Sequence, residues 1–172
     1  MIVTTKEIET ILYNHLWKKG RYIIFEVAVP RSIQNRYHRD RLDMCMYDSD
    51  GVFRGIEIKR NLQDFHSSAS WSWICNYNYF GMPYSLYCQV KDEIPDGVGV
   101  WAVYDDSKLV ECVKKPKFKE LLCSKEDMLC MMLQGLSREY KKYRKIKEKE
   151  EKYSKKKSSK RRKKKWISRT KI

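Results

Sequence analysis

Apolar residues recur along the first 137 residues with two different periods, and these periods predict a mixed α/β domain. A capping box at Thr4–Glu7 followed by apolar residues at helical spacing predicts a first helix that runs towards Gly20. Short apolar runs bounded by turn residues predict strands at 22–29, 42–47, 53–59, 77–82, 98–104 and 109–113. Helices are expected within 61–76, at 84–93 and from Ser124 onwards, where an apolar face of Met128, Leu129, Met131, Met132, Leu133 and Leu136 is expected to lie on the domain. This order of elements predicts a mixed central β-sheet flanked by helices.

The second and third predicted strands form a hairpin that carries unusual charges. Asp48-Ser49-Asp50-Gly51 supplies turn residues between them. Glu57 and Lys59 are two residues apart and therefore share one face of their strand, and folding back at the turn brings Asp43 beside them. Two carboxylates and an ammonium in apolar strands are costly unless they pair with one another or with a cation. The sequence therefore predicts a divalent-metal site, with Lys59 placed to orient a water or to stabilise charge.

Charge divides the chain into two parts. The formal net charge is +15, from 37 Lys and Arg against 22 Asp and Glu, and 19 of the basic but only 4 of the acidic residues lie in 138–172. The remainder, residues 1–137, is neutral. We therefore predict a folded domain over 1–137 and a lysine-rich C-terminal extension over 138–172, helical at its start and partly disordered towards its end.

Two basic segments are candidate nucleic-acid contacts. The segment 31–41 is expected to be a loop that leads into the second strand, and it carries Arg31, Arg36, Arg39 and Arg41. Such a loop is a natural source of phosphate contacts, although several arginines in a polar loop are also ordinary surface. In the extension, Lys163, Lys164 and Lys165 would add salt-sensitive affinity for a phosphate backbone without reading sequence.

Composition narrows the classes of protein. No apolar run is long enough for a transmembrane helix, so no membrane partner is expected. The first ten residues lack the pattern of a signal peptide, and the six cysteines have neither Cys-x-x-Cys nor zinc-ligand spacing. We therefore expect reduced thiols and a cytoplasmic protein, in a bacterium or a phage-infected host.

The order of motifs from residue 5 to 116 resembles a known nuclease superfamily. The motifs are Arg41-Leu42-Asp43, Glu57-Ile58-Lys59, Asp64-Phe65, Trp71, Cys75-Asn76, Tyr79-Phe80-Gly81-Met82-Pro83 and Gly97-Val98-Gly99-Val100. This order is similar to that of the PD-(D/E)XK nucleases, most closely the small MmcB-like DNA-repair proteins, and also resembles the archaeal Holliday-junction resolvases. The resemblance implies a restriction-endonuclease-like core.

The resemblance also implies a site and a cofactor. Asp43, Glu57 and the backbone carbonyl of Ile58 would bind Mg²⁺ or Mn²⁺, and Lys59 would complete the catalytic set. Glu9 matches a glutamate on the first helix of the resolvases and would join the metal ligands; as an alternative, it is a solvated helix charge. Where the family has a lysine before its helical tryptophan, this chain has Ser70, on a helix about one turn shorter.

Three functions follow as hypotheses. The first is a metal-dependent DNA endonuclease of the repair, recombination or phage type, for which a homodimer is one of the states that relatives adopt. The second is a catalytically inactive nucleic-acid-binding protein that uses the basic extension. The third is an interaction or inhibitor protein whose lysines serve localisation or bind an acidic partner.

Overall fold

A computed structural model describes residues 4–30, 39–67 and 73–169 of the chain, without the side chains of residues 30, 39 and 154–169. By its contacts, the chain divides into two compact units, Met1–Gly135 and Leu136–Ile172. The helices are α1 (Thr5–Leu16), α2 (Leu62–Phe65), α3 (Tyr84–Val90), which a 3-10 turn (Lys91–Glu93) extends, and α4 (Lys125–Arg169). The strands are β1 (Arg21–Pro30), β2 (Arg39–Asp48), β3 (Phe53–Ile58), β4 (Tyr77–Pro83), β5 (Gly99–Val103) and β6 (Val110–Lys114).

The six strands form one mixed sheet in chain order, β1 to β6. β1, β2 and β3 are antiparallel neighbours, β3, β4 and β5 are parallel, and β6 returns antiparallel to β5. The connections that contain α2 and α3 make the parallel pairings possible, because parallel strands need a crossover. The predicted α/β fold with a mixed sheet and flanking helices is confirmed.

Helix α1 covers one face of the sheet. Thr4 and Glu7 form the predicted capping box, and the buried stripe Ile8, Leu12 and Leu16 packs against this face. Gly81 on β4 leaves the room for the helix, since a Cβ there would lie 2.5 Å from Leu12 Cδ1. The buried residues that pack between α1 and this face are called the α1 cluster. Its members on the sheet are Met44, Met46, Ile56, Ile58, Tyr79 and Val103.

The opposite face of the sheet carries two further clusters. One, called the α4 cluster, joins strand residues to Met128 and Met132 at the start of α4; its other buried members are Val27, Val29, Leu42, Cys45, Phe53, Ile74 and Cys75. The other packs Phe65 of α2 and the apolar side of α3 against Phe80 and Val100. The prediction for the face of α4 is right for Met128 and Met132, which are buried, and for Met131, which is partly buried. It is wrong for Leu129, Leu133 and Leu136, which are exposed.

Two other predictions of local structure are wrong. Residues 61–76 do not form one helix: α2 ends at Phe65, and residues 73–76 are not helical. A serine-rich segment has weak helix propensity, and the side chain of Asn78 instead bonds both the N–H and the carbonyl of Cys75. The basic segment 31–41 is not a loop throughout, because β2 already begins at Arg39, where pairing with β1 extends the strand.

Asp48 closes the turn end of the β2–β3 hairpin with two arginines. Its carboxylate accepts hydrogen bonds from Arg21 Nε at 2.5 Å, Arg21 Nη2 at 2.9 Å and the guanidinium of Arg54. Arg21 also donates to the carbonyl of Leu16 at the end of α1, at 2.9 Å. The hydrogen bonds from Arg21 hold the pKa of Asp48 below its usual range. One buried carboxylate therefore ties α1, β1, β2 and β3 together.

The backbone of the lysine-rich extension continues α4 to Arg169. Its partial disorder towards the C-terminus stays a prediction. Among the described residues, no helix has both the length and the apolar character needed to cross a membrane.

We expect Asp48→Asn to lower the free energy of unfolding by about 3 kcal/mol at pH 7, because it leaves two partly buried guanidinium groups without their anion. Since the folded-state pKa of Asp48 is depressed, its contribution is present above the unfolded pKa of about 3.9 and is lost as the pH falls through the folded pKa. Urea unfolding of both proteins between pH 2 and 7 measures this difference.

Asp96→Asn is the matched control for Asp48→Asn. Asp96 also pairs with a basic side chain, Lys117, at 2.8 Å, but both partners are exposed. Its replacement should leave the free energy of unfolding nearly unchanged, because exposed ion pairs contribute little to stability. Equal losses in the two variants would contradict the structural role assigned to Asp48.

Candidate active site

The candidate site lies where β2 separates from β3. The pairing of the two strands stops at Met44 and Ile56, although β2 remains paired with β1 as far as Arg39. Beyond that point, the Asp43 carboxylate takes the place of a backbone partner: its Oδ2 accepts a hydrogen bond from the Ile58 N–H at 2.7 Å. A side chain has therefore entered the gap between the two strands.

Glu57 and Lys59 lie beside Asp43, as the spacing predicts. Glu57 is 6% exposed and Lys59 is 5% exposed, both rare values for charged residues. Glu57 pairs with Phe80 of β4, which places its side chain on the sheet face opposite α1. The carboxyl group of Glu57 lies close enough to that of Asp43 to affect the pKa of Asp43.

Burial dominates the electrostatics of Asp43. It raises the pKa of the Asp43 carboxyl above its usual range, because the ionised form loses its hydration. The Ile58 N–H and the charge of Lys59 act in the opposite direction, and the charge of Asp64 adds to the increase. The net effect favours either a proton or a cation at this carboxylate.

The backbone of β3 supplies a third possible metal ligand beside the two carboxylates, the carbonyl oxygen of Ile58. The Ile58 N–H points to β2, whereas the Lys59 N–H donates to the Gly81 carbonyl of β4 at 2.9 Å. The N–H and C=O of one strand residue point to the same neighbour, so the Ile58 carbonyl also faces β2. Two carboxylates and a carbonyl are hard oxygen donors, the set that Mg²⁺ and Mn²⁺ prefer, so the residues present fit such an ion.

The other predicted metal ligand is not joined to this group. Glu9 forms an ion pair with Lys6 one turn earlier on α1, and its side chain is 18% exposed. Over residues 4–30, 39–67 and 73–169, no three His, Cys, Asp or Glu side chains are grouped closely enough to hold a metal. The role of Glu9 stays a prediction.

The predicted phosphate contacts fall mostly outside the described residues. Arg31 and Arg36 lie there, as does Ser70, and the side chains of Arg39, Lys163, Lys164 and Lys165 are not described. Arg41 is described: it lies on β2, its side chain is 65% exposed, and it pairs with Glu26 at 3.5 Å.

Sequence reasoning did not assign Asp64 and Glu26 to the site. Asp64 lies close enough to Asp43 to affect its pKa, and its carboxylate accepts the Arg60 N–H at 3.1 Å. The sequence signal for Asp64 is its position in the first turn of α2, where its side chain can face the end of β3. Glu26 lies across from Asp43 on β1, and the only signal was its charge within an apolar strand.

No model of a known protein family and no curated protein matches this chain. Among solved structures, the chain is similar to the SPO1766 protein of unknown function from Silicibacter pomeroyi, with a TM-score of 0.52 and 18% identity. The match covers 77% of this chain and 83% of that one. At this identity the likeness concerns the fold alone.

We expect Asp43→Asn to stabilise the protein against urea at pH 7 when EDTA is present. The amide oxygen still accepts the Ile58 N–H, and a partly buried carboxylate is removed. The folded-state pKa of Asp43 is raised, so its ionised form lowers the stability of the fold. This loss of stability develops as the pH rises through the folded pKa, and it is absent below the unfolded pKa of about 3.9. The difference between the two urea midpoints should therefore shrink as the pH is lowered towards 4.

Asp106→Asn, at an exposed turn position, serves as the control for that comparison and should leave the urea midpoint nearly unchanged. A lower midpoint for Asp43→Asn than for the unmodified protein at pH 7 would show that the ionised Asp43 stabilises the fold.

Proposed function

We propose that this protein is a metal-dependent DNA endonuclease of the PD-(D/E)XK type. The observation that supports it is the cluster at the β2–β3 divergence, where the carboxyls of Asp43 and Glu57 meet beside the buried Lys59. These are the three residues of the motif. The order of elements is consistent with the resemblance as well, since the antiparallel β1–β2–β3 unit is followed by the parallel strand β4.

Each residue of the cluster has a role in this proposal. Asp43, Glu57 and the Ile58 carbonyl hold the Mg²⁺ or Mn²⁺ ion through oxygen atoms. The ion, when bound, acidifies a water and stabilises negative charge on the scissile phosphate. Lys59 orients the attacking water or neutralises the charge that develops on the phosphorus oxygens. The buried position of Lys59 limits its motion and suits it to that role.

The basic extension supplies non-specific affinity for DNA in this proposal. Residues 138–172 carry the whole net charge of the chain, and those up to Arg169 lie on the helix α4. Arg41 is an exposed cation two residues from Asp43 and could contact a phosphate next to the site. The cytoplasmic location and the homodimer stay predictions.

A second function is favoured by one specific observation. Among the described residues, no third acidic, His or Cys side chain is grouped with the two carboxylates. The site therefore offers few side-chain ligands to a metal ion. A catalytically inactive nucleic-acid-binding protein with the same fold would need only the basic extension. Metal-dependent cleavage separates this function from the first.

We expect Asp43→Ala to abolish metal-dependent cleavage and Lys59→Ala to reduce its rate by about 100-fold or more, since each removes a group that acts directly on the reacting phosphate or its ion. The assay incubates labelled linear, nicked, branched and single-stranded DNA at low salt with Mn²⁺ or with EDTA. Asp106→Ala and Lys115→Ala change exposed residues of the same types and should cleave normally. Undiminished cleavage by Asp43→Ala would exclude this site, and binding without cleavage on every substrate would favour the inactive binding protein.

Replacing Lys163, Lys164 and Lys165 together by Gln should weaken DNA binding by a similar factor for all sequences. The slope of log K against log salt should fall by up to about 3, close to one for each lost phosphate contact. Fluorescence anisotropy at several salt concentrations measures both quantities. The same change at Lys91, Lys115 and Lys117 of the domain removes equal charge and is the control. An unchanged slope in the first variant would assign the extension to another partner.

A further inference from the structure

Glu26 on β1 has an unusual backbone conformation. Its φ is 52°, in the left-handed region that residues with a side chain rarely adopt. Among the described residues, Lys108, with φ of 55° in the turn before β6, is the only other non-glycine residue with positive φ. A turn commonly contains such a residue, but the middle of a strand does not. The conformation of Glu26 therefore needs a local explanation.

Strand β1 changes face at Glu26. Before this residue, Ile23 and Phe25 contact the α1 cluster. After it, Val27 and Val29 belong to the α4 cluster, on the opposite face of the sheet. All four positions are odd-numbered, so in a regular strand they would share one face. The left-handed residue between them turns the strand over.

Strand β2 changes face at the directly opposite position. Met44 and Met46 lie in the α1 cluster, whereas Leu42 lies in the α4 cluster. Leu42 fills space that Gly55 leaves on β3, where its Cδ2 lies 3.2 Å from the place of a Cβ. The residue at the change of face on β2 is Asp43.

The two strands turn over together without losing register. Phe25 pairs with Met44 before the change and Val27 pairs with Leu42 after it, so no residue is inserted on either strand. Glu26 and Asp43 therefore lie across from each other. β3 does not take part in this turn, and its pairing with β2 ends one residue earlier, at Met44.

This geometry explains how the Asp43 carboxylate reaches its partners. In a regular strand, the side chain of Asp43 would stand perpendicular to the sheet. Because β2 turns over at this residue and leaves β3, the carboxylate instead meets the Ile58 N–H, a group in the plane of the sheet, at 2.7 Å. The same position brings it to the carboxyl of Glu57.

We propose that Glu26 is a positioning residue whose left-handed backbone turns β1 and β2 over together and so directs Asp43 towards the Ile58 N–H and Glu57. Its relevance to cleavage rests on the proposed function, but the geometric role does not. The carboxylate of Glu26 is not the active part: its side chain is 44% exposed and pairs with Arg41. The backbone conformation is the part that matters.

Substitutions that differ in their tolerance of positive φ test this role. Gly adopts the left-handed region freely, Gln tolerates it about as Glu does, and the β-branched Val resists it. Glu26→Gly and Glu26→Gln should keep the site, whereas Glu26→Val should lose it. Lys108→Val imposes the same backbone conflict away from the site and is the matched control. Glu26→Ala replaces the Val variant should that protein not fold.

Two readouts are measured. The first is hydrogen exchange of the Ile58 amide by NMR in the metal-free protein, with the Ile56 amide, whose strand is still paired, as internal reference. The second is Mn²⁺ affinity by calorimetry. Glu26→Val should accelerate Ile58 exchange relative to Ile56 and weaken Mn²⁺ binding by about tenfold or more. Glu26→Gly, Glu26→Gln and Lys108→Val should leave the Ile58-to-Ile56 ratio and the affinity unchanged.

The exchange ratio decides the proposal. An unchanged Ile58 ratio in the folded Val or Ala variant would overturn it, and so would loss of Ile58 protection in Glu26→Gly, which would assign the role to the carboxylate. Should the unmodified protein neither bind Mn²⁺ nor cleave DNA while the Ile58 ratio follows the expected pattern, the nuclease proposal fails and the positioning role of Glu26 stands.

Discussion

The separation of β2 from β3 at Asp43 is the constraint on which the candidate site depends. As long as two strands stay paired, their backbone groups bond each other and their side chains point away from the sheet. Where β2 leaves β3, the Ile58 N–H loses its strand partner, and the Asp43 carboxylate satisfies it. One hydrogen bond thus brings a charged group into the sheet plane, beside Glu57. The site is a consequence of where the strand pairing ends.

The β2–β3 hairpin holds a carboxylate at each of its ends, buried Asp48 and partly buried Asp43, and their pKa values are shifted in opposite directions. At the turn end, two guanidinium groups surround Asp48 and depress its pKa, so its charge is fully balanced within the protein. At the open end, burial outweighs the nearby ammonium of Lys59, and the pKa of Asp43 is raised. A balanced carboxylate stabilises the fold, whereas an under-compensated one has an affinity for a proton or a cation. This contrast distinguishes a structural acid from a candidate metal ligand.

Periodicity in the sequence is sufficient to predict the six strands, the capped first helix and the proximity of Asp43, Glu57 and Lys59, because a hairpin with a side-chain period of two leaves few alternatives. It does not predict the face change at Glu26, since both strands change face together and the apolar positions still look regular in each half. Nor does it predict the ion pairs of Asp48, which had the signature of a turn residue. The long helix expected at 61–76 is wrong, since α2 ends at Phe65 and the serines that follow it in the sequence have poor helix propensity.

The distribution of charge along the chain determines where a polyanion such as DNA could be attracted. The domain is neutral, with the excess of positive charge confined to 138–172, so the domain by itself exerts little long-range attraction on DNA. The carboxylates of Asp43 and Glu57, when ionised, would repel a phosphate. In the nuclease proposal, a divalent ion held by these carboxylates would reverse the local charge for a phosphodiester, and contacts made elsewhere would keep the substrate nearby. The nuclease proposal therefore assigns the metal ion and the basic extension to two separate requirements, local charge reversal and long-range attraction.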